Sequence, residues 1–368
     1  MDLPSPSQQR RRDAASMGES RFPDVPVFTP TERCIMRRSF RLIRSSHLAG
    51  LALAAVGMLA AQPALAASTG YTGIFGGGPF YKNSQATLNE LSTSGFDEII
   101  VWSVEVAANG DLNLNGEFPL VSSGVYVGGQ TYPAFANAMA SFKAAGVKRI
   151  TFSIGSSNVG DFQHIKSLVN GTGAGGGTGT ASTLYKNFQA LKAAIPSIDA
   201  IDLDDENSYD TASTVSFSVM LGKLGYHVMP DAYTNASYWT NVVTQINQQR
   251  AGTVDGVHLQ AYSGGSGNSP CSGWNFGGIP VYPGIADSTI GGGLSVPAAQ
   301  TKIAGWAGQC AITGAFLWLY DDVAGKTYNG GTLSAGYAGA INAGLTLSLI
   351  HISEPTRPSH ISRMPSSA

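Results

Sequence analysis

Charge is scarce in this sequence. Asp, Glu, Lys and Arg make up only 12% of the residues, against roughly 25% in an average soluble domain. Half of the Lys and Arg residues lie outside residues 67–346, so this long central segment is acidic. A surface with so few cations does not attract nucleic acid or an anionic membrane. We therefore expect neither as a partner, and a cluster of charge in such a chain needs an explanation.

The motifs of several common enzyme classes are also missing. No G-x-G-x-x-G leads from a predicted strand into a helix, and no G-x-S-x-G elbow is present. His164, His227 and His258 lie in different predicted elements, without the spacing of metal ligands. The sequence therefore gives no basis for a dinucleotide cofactor, a serine nucleophile or a zinc centre, and we expect no cofactor and no metal.

Cysteine is rare, with three residues in the whole chain. Cys34 lies in the N-terminal region, and Cys271 and Cys310 lie in the central segment. An even pair in an exported protein is typical of one disulfide. Two separate buried thiols fit the sequence equally well in the absence of distances.

Long apolar runs are limited to one short segment near the N-terminus. Residues 36–66 begin with a basic stretch, continue with an apolar run at 48–61 and end in Ala-Leu-Ala at 64–66. This arrangement predicts an export signal cleaved after Ala66, and hence a secreted or periplasmic protein. The run is too short and too rich in Ala for a stable membrane anchor. An amphipathic N-terminal helix is the alternative, and Arg37-Arg38 leaves the twin-arginine route open.

The two ends of the chain do not resemble parts of a folded domain. Residues 1–35 precede a complete export signal, and we interpret them as a spurious upstream extension. Residues 347–357 read LSLIHISEPTR, the translation of a sequencing adapter in one frame, so we interpret residues 347–368 as adapter-derived. A natural disordered tail is the alternative. The remaining residues, 67–346, are enough for one large domain.

Short apolar runs alternate with segments of helical periodicity through residues 67–346. We predict strands near residues 71–75, 98–104, 149–154, 200–204, 227–230, 256–262, 279–283 and 314–319. Helices are predicted at residues 84–91, 132–145, 181–194, 214–224, 238–249, 297–307 and 335–345. The Gly/Ser-rich residues 263–278 replace one helix. This order predicts an α/β fold, a single (β/α)8 TIM barrel, with a doubly wound open sheet as the rival.

Five acidic residues fall within residues 199–206, which read DAIDLDDE. Side chains two apart on a strand share one face. If the strand continues as far as Glu206, then Asp202, Asp204 and Glu206 are expected to point together toward the barrel axis, at the strand end where barrel enzymes carry catalytic groups. Crowded carboxyls raise one another's pKa, so one of them can hold a proton as a general acid. Asp205 takes the opposite face, where we expect water to reach it.

An acidic cluster can also bind a metal ion or form a solvated loop. A calcium loop of the EF-hand type, counted from Asp202, would need Gly and Glu at the positions of Asn207 and Ser213, so it is excluded. A divalent-metal site with distant ligands and a solvated acidic loop remain as alternatives.

The acidic positions of residues 199–206 resemble the D-x-x-D-x-D-x-E signature of glycoside hydrolase family 18, the chitinases and endo-β-N-acetylglucosaminidases. The Asp-Asp-Glu ending is most similar to the endoglycosidase H type. FSIGSS at 152–157, LQAY at 259–262 and FLWLYDD at 316–322 resemble the family's third, sixth and eighth strands, in the same order. Ala200 and Ser156 depart from the glycines usual there, and Asp205 replaces the Trp or Ile of many chitinases.

The resemblance implies an enzyme that cleaves β-1,4 linkages next to N-acetylglucosamine, in chitin oligosaccharides or the chitobiose core of N-glycans. It implies substrate-assisted retaining catalysis, an exception to the scheme with two carboxylates. Glu206 would be the proton donor, Asp204 would orient the acetamido group, and Asp202 would share a proton with Asp204. Tyr262 would hold the acetamido oxygen.

The same resemblance implies a sugar-binding surface and a partner that contains N-acetylglucosamine. The expected substrate-binding residues are Trp318, Gln260, Asp231, Tyr233 and Asp199. We expect a monomer. The alternatives are a non-catalytic, lectin-like barrel and a barrel whose acidic cluster binds metal. Lectin-like relatives usually lack the terminal Glu or its Asp partner, and both are present here.

Overall fold

The computed structural model describes residues 71–352, and their side chains as far as residue 346. The predicted upstream extension and export signal lie outside the described residues, as do residues 353–368 of the predicted adapter-derived tail. The last helix continues to Ile352. The predicted boundary at residue 346 therefore falls inside an element and stays a prediction.

The strands of the described chain are numbered in chain order. They are β1 (Thr72–Gly76), β2 (Glu98–Val106), β3 (Leu112–Leu114), β4 (Phe118–Ser122), β5 (Val125–Tyr126), β6 (Arg149–Gly155), β7 (Ala200–Asp204), β8 (His227–Ala232), β9 (Val257–Gln260), β10 (Val281–Ala286), β11 (Ala315–Trp318), β12 (Thr327–Tyr328) and β13 (Gly331–Thr332). All eight predicted strands are among them, within a few residues of the expected bounds.

The helices are α1 (Pro79–Lys82), α2 (Ser84–Leu91), α3 (Phe135–Ala144), α4 (Asp161–Val169), α5 (Thr183–Ala194), α6 (Thr211–Lys223), α7 (Ala236–Gln249), α8 (Val296–Cys310), α9 (Tyr320–Val323) and α10 (Leu333–Ile352). All seven predicted helices are present. Between β9 and β10 the chain forms only one 3₁₀ turn, Ser263–Gly265, where the sequence predicted a missing helix.

Eight parallel strands close into a barrel in the order β1, β2, β6, β7, β8, β9, β10 and β11. The ring is closed because β1 pairs with β2 on one side, Gly73 opposite Glu98, and with β11 on the other, Thr72 opposite Ala315. An open doubly wound sheet has two free edges and is excluded. The predicted single (β/α)8 TIM barrel is confirmed.

Local chemistry explains where several elements begin. The β2 segment EIIVWSVEV is rich in β-branched residues, which fit a strand. Asp210 precedes α6, and its carboxylate accepts the Ser213 N–H at 3.0 Å, which caps that helix. The hydroxyl of Ser182 accepts the Tyr185 N–H and caps α5 in the same way.

The hairpin strands β3 to β5 and helix α4 were not predicted. The hairpin strands are two to five residues long, too short for a periodic signal. They are held by a residue far along the chain, because Asn187 of α5 accepts the Gly124 N–H at 2.6 Å and donates to the Gly110 carbonyl at 2.5 Å. Bonds of this kind cannot be inferred from a local segment.

Side chains of the barrel strands alternate between the helix layer and the barrel interior. On β7, Ile201 and Leu203 belong to the main core between strands and helices. Ala200 packs inside the barrel with Met229 and Tyr282, and Asp202 and Asp204 follow it on the same face. One interior wall is aromatic, formed by Phe75, Trp102, Phe316 and Trp318. The facing wall, from β6 to β9, is polar.

Candidate active site

Asp202 lies inside the barrel with both carboxylate oxygens bonded. The Ser153 hydroxyl of β6 donates to one oxygen at 2.6 Å. The His258 Nδ1 of β9 lies 2.7 Å from the other. Asp202 has no exposed surface, so these two neighbours determine how it sits and how it is charged.

Asp204 ends β7 and is only 4% exposed. Its Oδ1 accepts the Gln260 Nε2–H at 3.0 Å. Burial, followed by the charges of Glu206, Asp231 and Asp202, raises the pKa of Asp204 well above its ordinary value. A carboxyl in this setting retains a proton at a pH where an exposed Asp is ionised.

Close backbone packing brings β6 against Asp204. Gly155 pairs with Asp204 in the parallel register and has a φ of +98°. A Cβ at Gly155 would lie 2.4 Å from the Asp204 carbonyl oxygen, well inside contact distance. Glycine is therefore required here, both for its conformation and for the space that it leaves.

Glu206 follows β7 and is partly exposed, unlike Asp202 and Asp204. Burial raises the pKa of Glu206, and the charge of Asp205 adds to this. Hydrogen bonds with Gln260 and Asp204 act in the opposite direction. Glu206 thus combines a raised pKa with access to a ligand, the two properties that a proton donor needs.

Asp231 and Tyr262 complete the polar cluster. Asp231, on β8, is 1% exposed, and its Oδ1 has no hydrogen-bond partner within the described chain. Burial and then the charge of Asp202 raise its pKa well above the ordinary value. Tyr262 follows β9, and burial and the charge of Asp231 raise its pKa in turn, so that it remains a phenol and can donate a hydrogen bond.

An aromatic surface lies beside the carboxyls. The rings of Trp318 and Tyr262 stack with centroids 5.9 Å apart and planes at 18°. Trp102 contacts Trp318 edge to face at 5.1 Å, and Phe75 lies 5.5 Å from it. Trp318 is partly exposed, so its indole offers an apolar face of the kind on which a sugar ring can lie.

The remaining predicted site residues separate into two groups. Tyr233 follows β8 at the same end of the barrel, where its ring packs closely against Gly264 of the loop after β9. Asp199 precedes β7 at the opposite end, where its carboxylate forms an ion pair with Lys143 at 2.9 Å and accepts the Ile150 N–H. This placement does not support the prediction that Asp199 contacts substrate.

Asp205 corrects a prediction. It was expected to be reached by water, but it has no exposed surface. Its carboxylate accepts the N–H groups of Asn207, Ser208 and Tyr209 at 3.2, 2.8 and 2.8 Å. The chain turns sharply after β7, which directs these amides at the carboxylate. Asp205 therefore fixes the turn that carries its neighbour Glu206.

Toward the N-terminal end of the barrel from the carboxyl cluster lies a column of charged side chains that the sequence analysis did not identify. It consists of Glu98, Arg149, Asp255 and His258. His258 Nε2 lies 3.4 Å from Glu98 Oε2, and Arg149 Nε lies 3.6 Å from Glu98 Oε1. The guanidinium of Arg149 also donates to both carboxylate oxygens of Asp255 at 2.9 Å. The available signal was period-two spacing, since His258 precedes Gln260 by two positions on β9.

Cys271 and Cys310 form a disulfide, with Cα atoms 5.3 Å apart. This settles the open choice between a bridge and two free thiols. The bridge joins the segment that replaces the missing helix to the last residue of α8.

Two further features concern the described residues as a group. No three His, Cys, Asp or Glu side chains between residues 71 and 346 are grouped as a metal ion would require. No helix in the described part of the chain is long and apolar enough to cross a bilayer.

Comparison with known proteins gives structural likenesses only. No protein-family model and no curated protein matches the chain. Among solved structures, the chain is similar to the β-mannanase of the blue mussel Mytilus edulis (14% identity, 76% of this chain and 96% of that chain, TM-score 0.48). The catalytic domain of a family GH18 chitinase from the fern Peteris ryukyuensis matches with 14% identity, 75% and 100% coverage and a TM-score of 0.49. A chitinase of Bacteroides thetaiotaomicron matches with 13% identity, 74% and 97% coverage and a TM-score of 0.47.

Likenesses at this level do not carry a functional argument, and the barrel fold rests on the strand pairing of the chain itself. Family 18 chitinases are thus among the structures to which this chain is similar in fold.

Proposed function

We propose that the protein is an exported glycoside hydrolase that cleaves β-1,4 linkages next to N-acetylglucosamine by substrate-assisted retaining catalysis. One observation carries the proposal. A partly exposed carboxyl with a raised pKa, Glu206, lies at the C-terminal end of a barrel strand, next to buried carboxyls and an aromatic surface. The family 18 resemblance of residues 199–206 assigns the chemistry, and the export signal predicted in residues 36–66 assigns a secreted or periplasmic location.

The exposure of the carboxyls supports attack by the substrate itself. Asp202 has no exposed surface, and Asp204 and Asp231 are at most 4% exposed. This is enough to contact a small substituent that enters the pocket, but too little for a protein nucleophile that must attack the anomeric carbon of the sugar. Glu206 is the accessible acid and is needed as the proton donor. A 2-acetamido oxygen held within attack distance would supply the nucleophile that the barrel does not offer.

The other groups have complementary roles in this mechanism. Glu206 protonates the leaving oxygen and, once ionised, activates water. Asp204, beside Glu206, accepts the acetamido N–H and stabilises the positive oxazolinium ion that forms. Tyr262 donates its hydroxyl to the acetamido oxygen. Trp318 lies under the apolar face of the sugar, and Gln260 keeps Asp204 in position through its 3.0 Å bond.

Asp231 and Tyr233 are proposed as further contacts with the sugar. Asp231 contributes a buried oxygen that lacks a partner in the described chain, and Tyr233 lies at the rim of the same end of the barrel. The partner is an oligo- or polysaccharide that contains N-acetylglucosamine, bound by a monomer.

The test compares the purified protein with its Glu206→Gln variant on chitooligosaccharides and on a high-mannose glycoprotein. Loss of the general acid is expected to lower kcat by about 10²- to 10⁴-fold. Glu117→Gln is the matched control, since Glu117 forms an exposed ion pair with Lys82 away from the cluster, and we expect it to keep full activity.

Two additional measurements decide between mechanisms and classes. Cello-oligosaccharides carry a hydroxyl in place of the acetamido group, so substrate assistance predicts no cleavage of them. The released sugar should first appear as the β-anomer. If the wild type cleaves none of these sugars while it and Glu206→Gln bind chitooligosaccharides equally, the lectin-like alternative replaces the enzyme.

A further inference from the structure

We propose that His258 is a positioning residue of this site. Held as a buried imidazolium between Asp202 and Glu98, it keeps Asp202 ionised, so that the mobile proton of the cluster stays with Asp204 and Glu206. The assignment of a catalytic role to this proton rests on the proposed function, but the charge of His258 can be measured without it.

The hydrogen-bond geometry fits a His258 ring that carries two protons. Its Nδ1 lies 2.7 Å from Asp202 Oδ2 and its Nε2 lies 3.4 Å from Glu98 Oε2. Ionised carboxylates only accept hydrogen bonds, so both ring nitrogens must donate, and an imidazole that donates from both nitrogens is positively charged. The residue is completely buried, so water does not supply an alternative partner.

Glu98 is itself held in the ionised form. The Thr151 hydroxyl donates to its Oε1 at 2.6 Å, and Arg149 lies 3.6 Å away. Burial acts to raise the pKa of Glu98, but His258 and Arg149 outweigh it and the pKa is lowered. Burial acts to lower the pKa of His258, but the carboxylates of Glu98 and Asp202 outweigh it and raise this pKa to about 10.

Packing fixes the orientation of the imidazole. Its ring lies edge to face against Phe75 at 5.7 Å and Phe316 at 5.1 Å between centroids. The titratable and charged groups that face it come from five strands: Glu98 of β2, Arg149 of β6, Asp202 of β7, Asp231 of β8 and Tyr282 of β10. Neither ring nitrogen can turn toward water without displacing these groups.

The contrast among the buried carboxyls shows what His258 does. Burial raises the pKa of Asp202 above its ordinary value, and contact with His258 and Ser153 limits this rise. Asp204 and Asp231, buried to a similar degree without such a cation in contact, have pKa values raised well above the ordinary value. Of the three interior carboxyls Asp202, Asp204 and Asp231, Asp202 is thus the one that ionises most readily.

The location of the shared proton follows. Ser153 and His258 each occupy one oxygen of Asp202, and the charge of His258 disfavours a proton on this carboxyl, so the proton that the family resemblance places between Asp202 and Asp204 is held mainly by Asp204. Asp204 instead hydrogen-bonds with Glu206. His258 acts through Asp202, and it does not itself touch the sugar.

The first experiment measures the charge of His258 directly. In protein labelled with ¹³C and ¹⁵N in histidine, the His258 ring should keep imidazolium shifts from pH 5 to pH 9. His258→Gln assigns the signal by its disappearance. A neutral imidazole at pH 7 would overturn the proposal, whether or not the protein cleaves sugar.

The second experiment uses pH profiles of kcat/KM. His258→Gln removes the cation, which raises the pKa values of the carboxyls, so the acidic limb should move up by about one pH unit or more. Glu98→Gln keeps an acceptor for Nε2 but removes one anion. The pKa of His258 then falls, so the profile should follow that of the wild type while the ring is protonated and approach that of His258→Gln as the pH rises and the ring deprotonates.

Thr151→Val is the control for perturbed packing. It removes the hydroxyl bond to Glu98 while leaving every charge in place, so any movement of the limbs of its pH profile should be smaller than in Glu98→Gln and in His258→Gln. An active His258→Gln protein with an unshifted profile would leave the hydrolase standing and refute the role of His258. If His258→Gln does not fold, the histidine titrations of the wild type and of Glu98→Gln decide the question.

Discussion

The buried carboxyl groups at the two ends of the barrel interior are stabilised in different ways. At the N-terminal end, Glu98 and Asp255 face the cations Arg149 and His258 at ion-pair distances. Each of these two carboxylates has a cation within ion-pair distance. Such a network is expected to stabilise the fold only as long as all its members are present.

At the C-terminal end the carboxyls have no such partners. Asp204, Asp231 and Glu206 form no ion pair with any residue of the described chain, and burial raises the pKa of each. The cost of burying these carboxyls is reduced by bound protons instead of by neighbouring cations. A bound proton can be transferred to a ligand, whereas an ion pair only holds its two members in place. The C-terminal end of the barrel is therefore suited to acid-base chemistry, and the N-terminal end to stability.

The largest expected effect is on the N-terminal end. Arg149→Met leaves Glu98 and Asp255 buried without their cation, and we expect it to lower the free energy of unfolding by about 3–5 kcal/mol. Equilibrium denaturation in urea at pH 7 measures this. Lys148→Met, at the neighbouring exposed position, should change stability little, and equal losses in the two variants would contradict the comparison.

The next effect is on the proton-bearing end. Asp204→Asn keeps the shape and the bond with Gln260 but removes the charge that would stabilise an oxazolinium ion, so kcat should fall by about 10²- to 10³-fold. Steady-state hydrolysis of a chitooligosaccharide measures it. Full activity of this variant would remove Asp204 from the mechanism.

The same variant should be more stable than the wild type, with a clear pH dependence. A carboxyl whose pKa is raised in the folded state binds its proton more tightly there, so its contribution favours folding at acidic pH and is lost as the pH rises above about 4. Asn does not ionise. The gain in Tm of Asp204→Asn should therefore increase between pH 4 and pH 8, and a constant difference would show that Asp204 is ionised throughout.

A smaller effect is expected at the turn that carries Glu206. Asp205→Ala leaves three backbone N–H groups without their acceptor, which should cost about 1–3 kcal/mol of stability and also reduce kcat, since Glu206 loses its fixed position. Denaturation and steady-state kinetics on one preparation measure both. Asp210→Ala, which removes the cap of α6 and a largely exposed ion pair with Lys166, should cost about 1 kcal/mol. Full activity of Asp205→Ala would show that the turn holds without this carboxylate.

The smallest effect is on the surface. Lys148 and Asp97 form an ion pair at 2.7 Å, but the Lys side chain is 61% exposed. Lys148→Ala is expected to cost at most about 1 kcal/mol, and less as the salt concentration rises. Thermal unfolding at low and high salt measures this. A loss as large as that of Arg149→Met would mean that burial does not set the strength of these pairs.

The sequence predicts the barrel and the row of carboxyls because both depend on local periodicity. Strand spacing fixes the faces of Asp202 and Asp204, and their position at the end of a strand fixes their place in the barrel. The burial of Asp205 could not be predicted in this way, because strand alternation ends at Asp204 and a turn begins. Asp199 shares the motif but begins the strand, five residues and about 16 Å from Asp204 along an extended chain.

The column beneath the cluster could not be predicted in the same way. Glu98, Arg149 and His258 come from three strands that lie far apart in the sequence. Each lies next to apolar residues in its own strand, and only the closed ring brings the three within contact distance. Their partnership is a property of the barrel topology, because the spacing of His258 and Gln260 on β9 indicates the face of His258 but not its partners.

The Cys271–Cys310 bridge has a practical consequence for handling the protein. It anchors the segment that follows Tyr262 directly. This segment replaces a helix, so no helix covers that side of the barrel. Material made in a reducing cytoplasm would lack this fastening, and its exposed Gly/Ser-rich segment would be the natural place for a protease to cut. Limited digestion with and without reductant is therefore a suitable quality check before any kinetic comparison of variants.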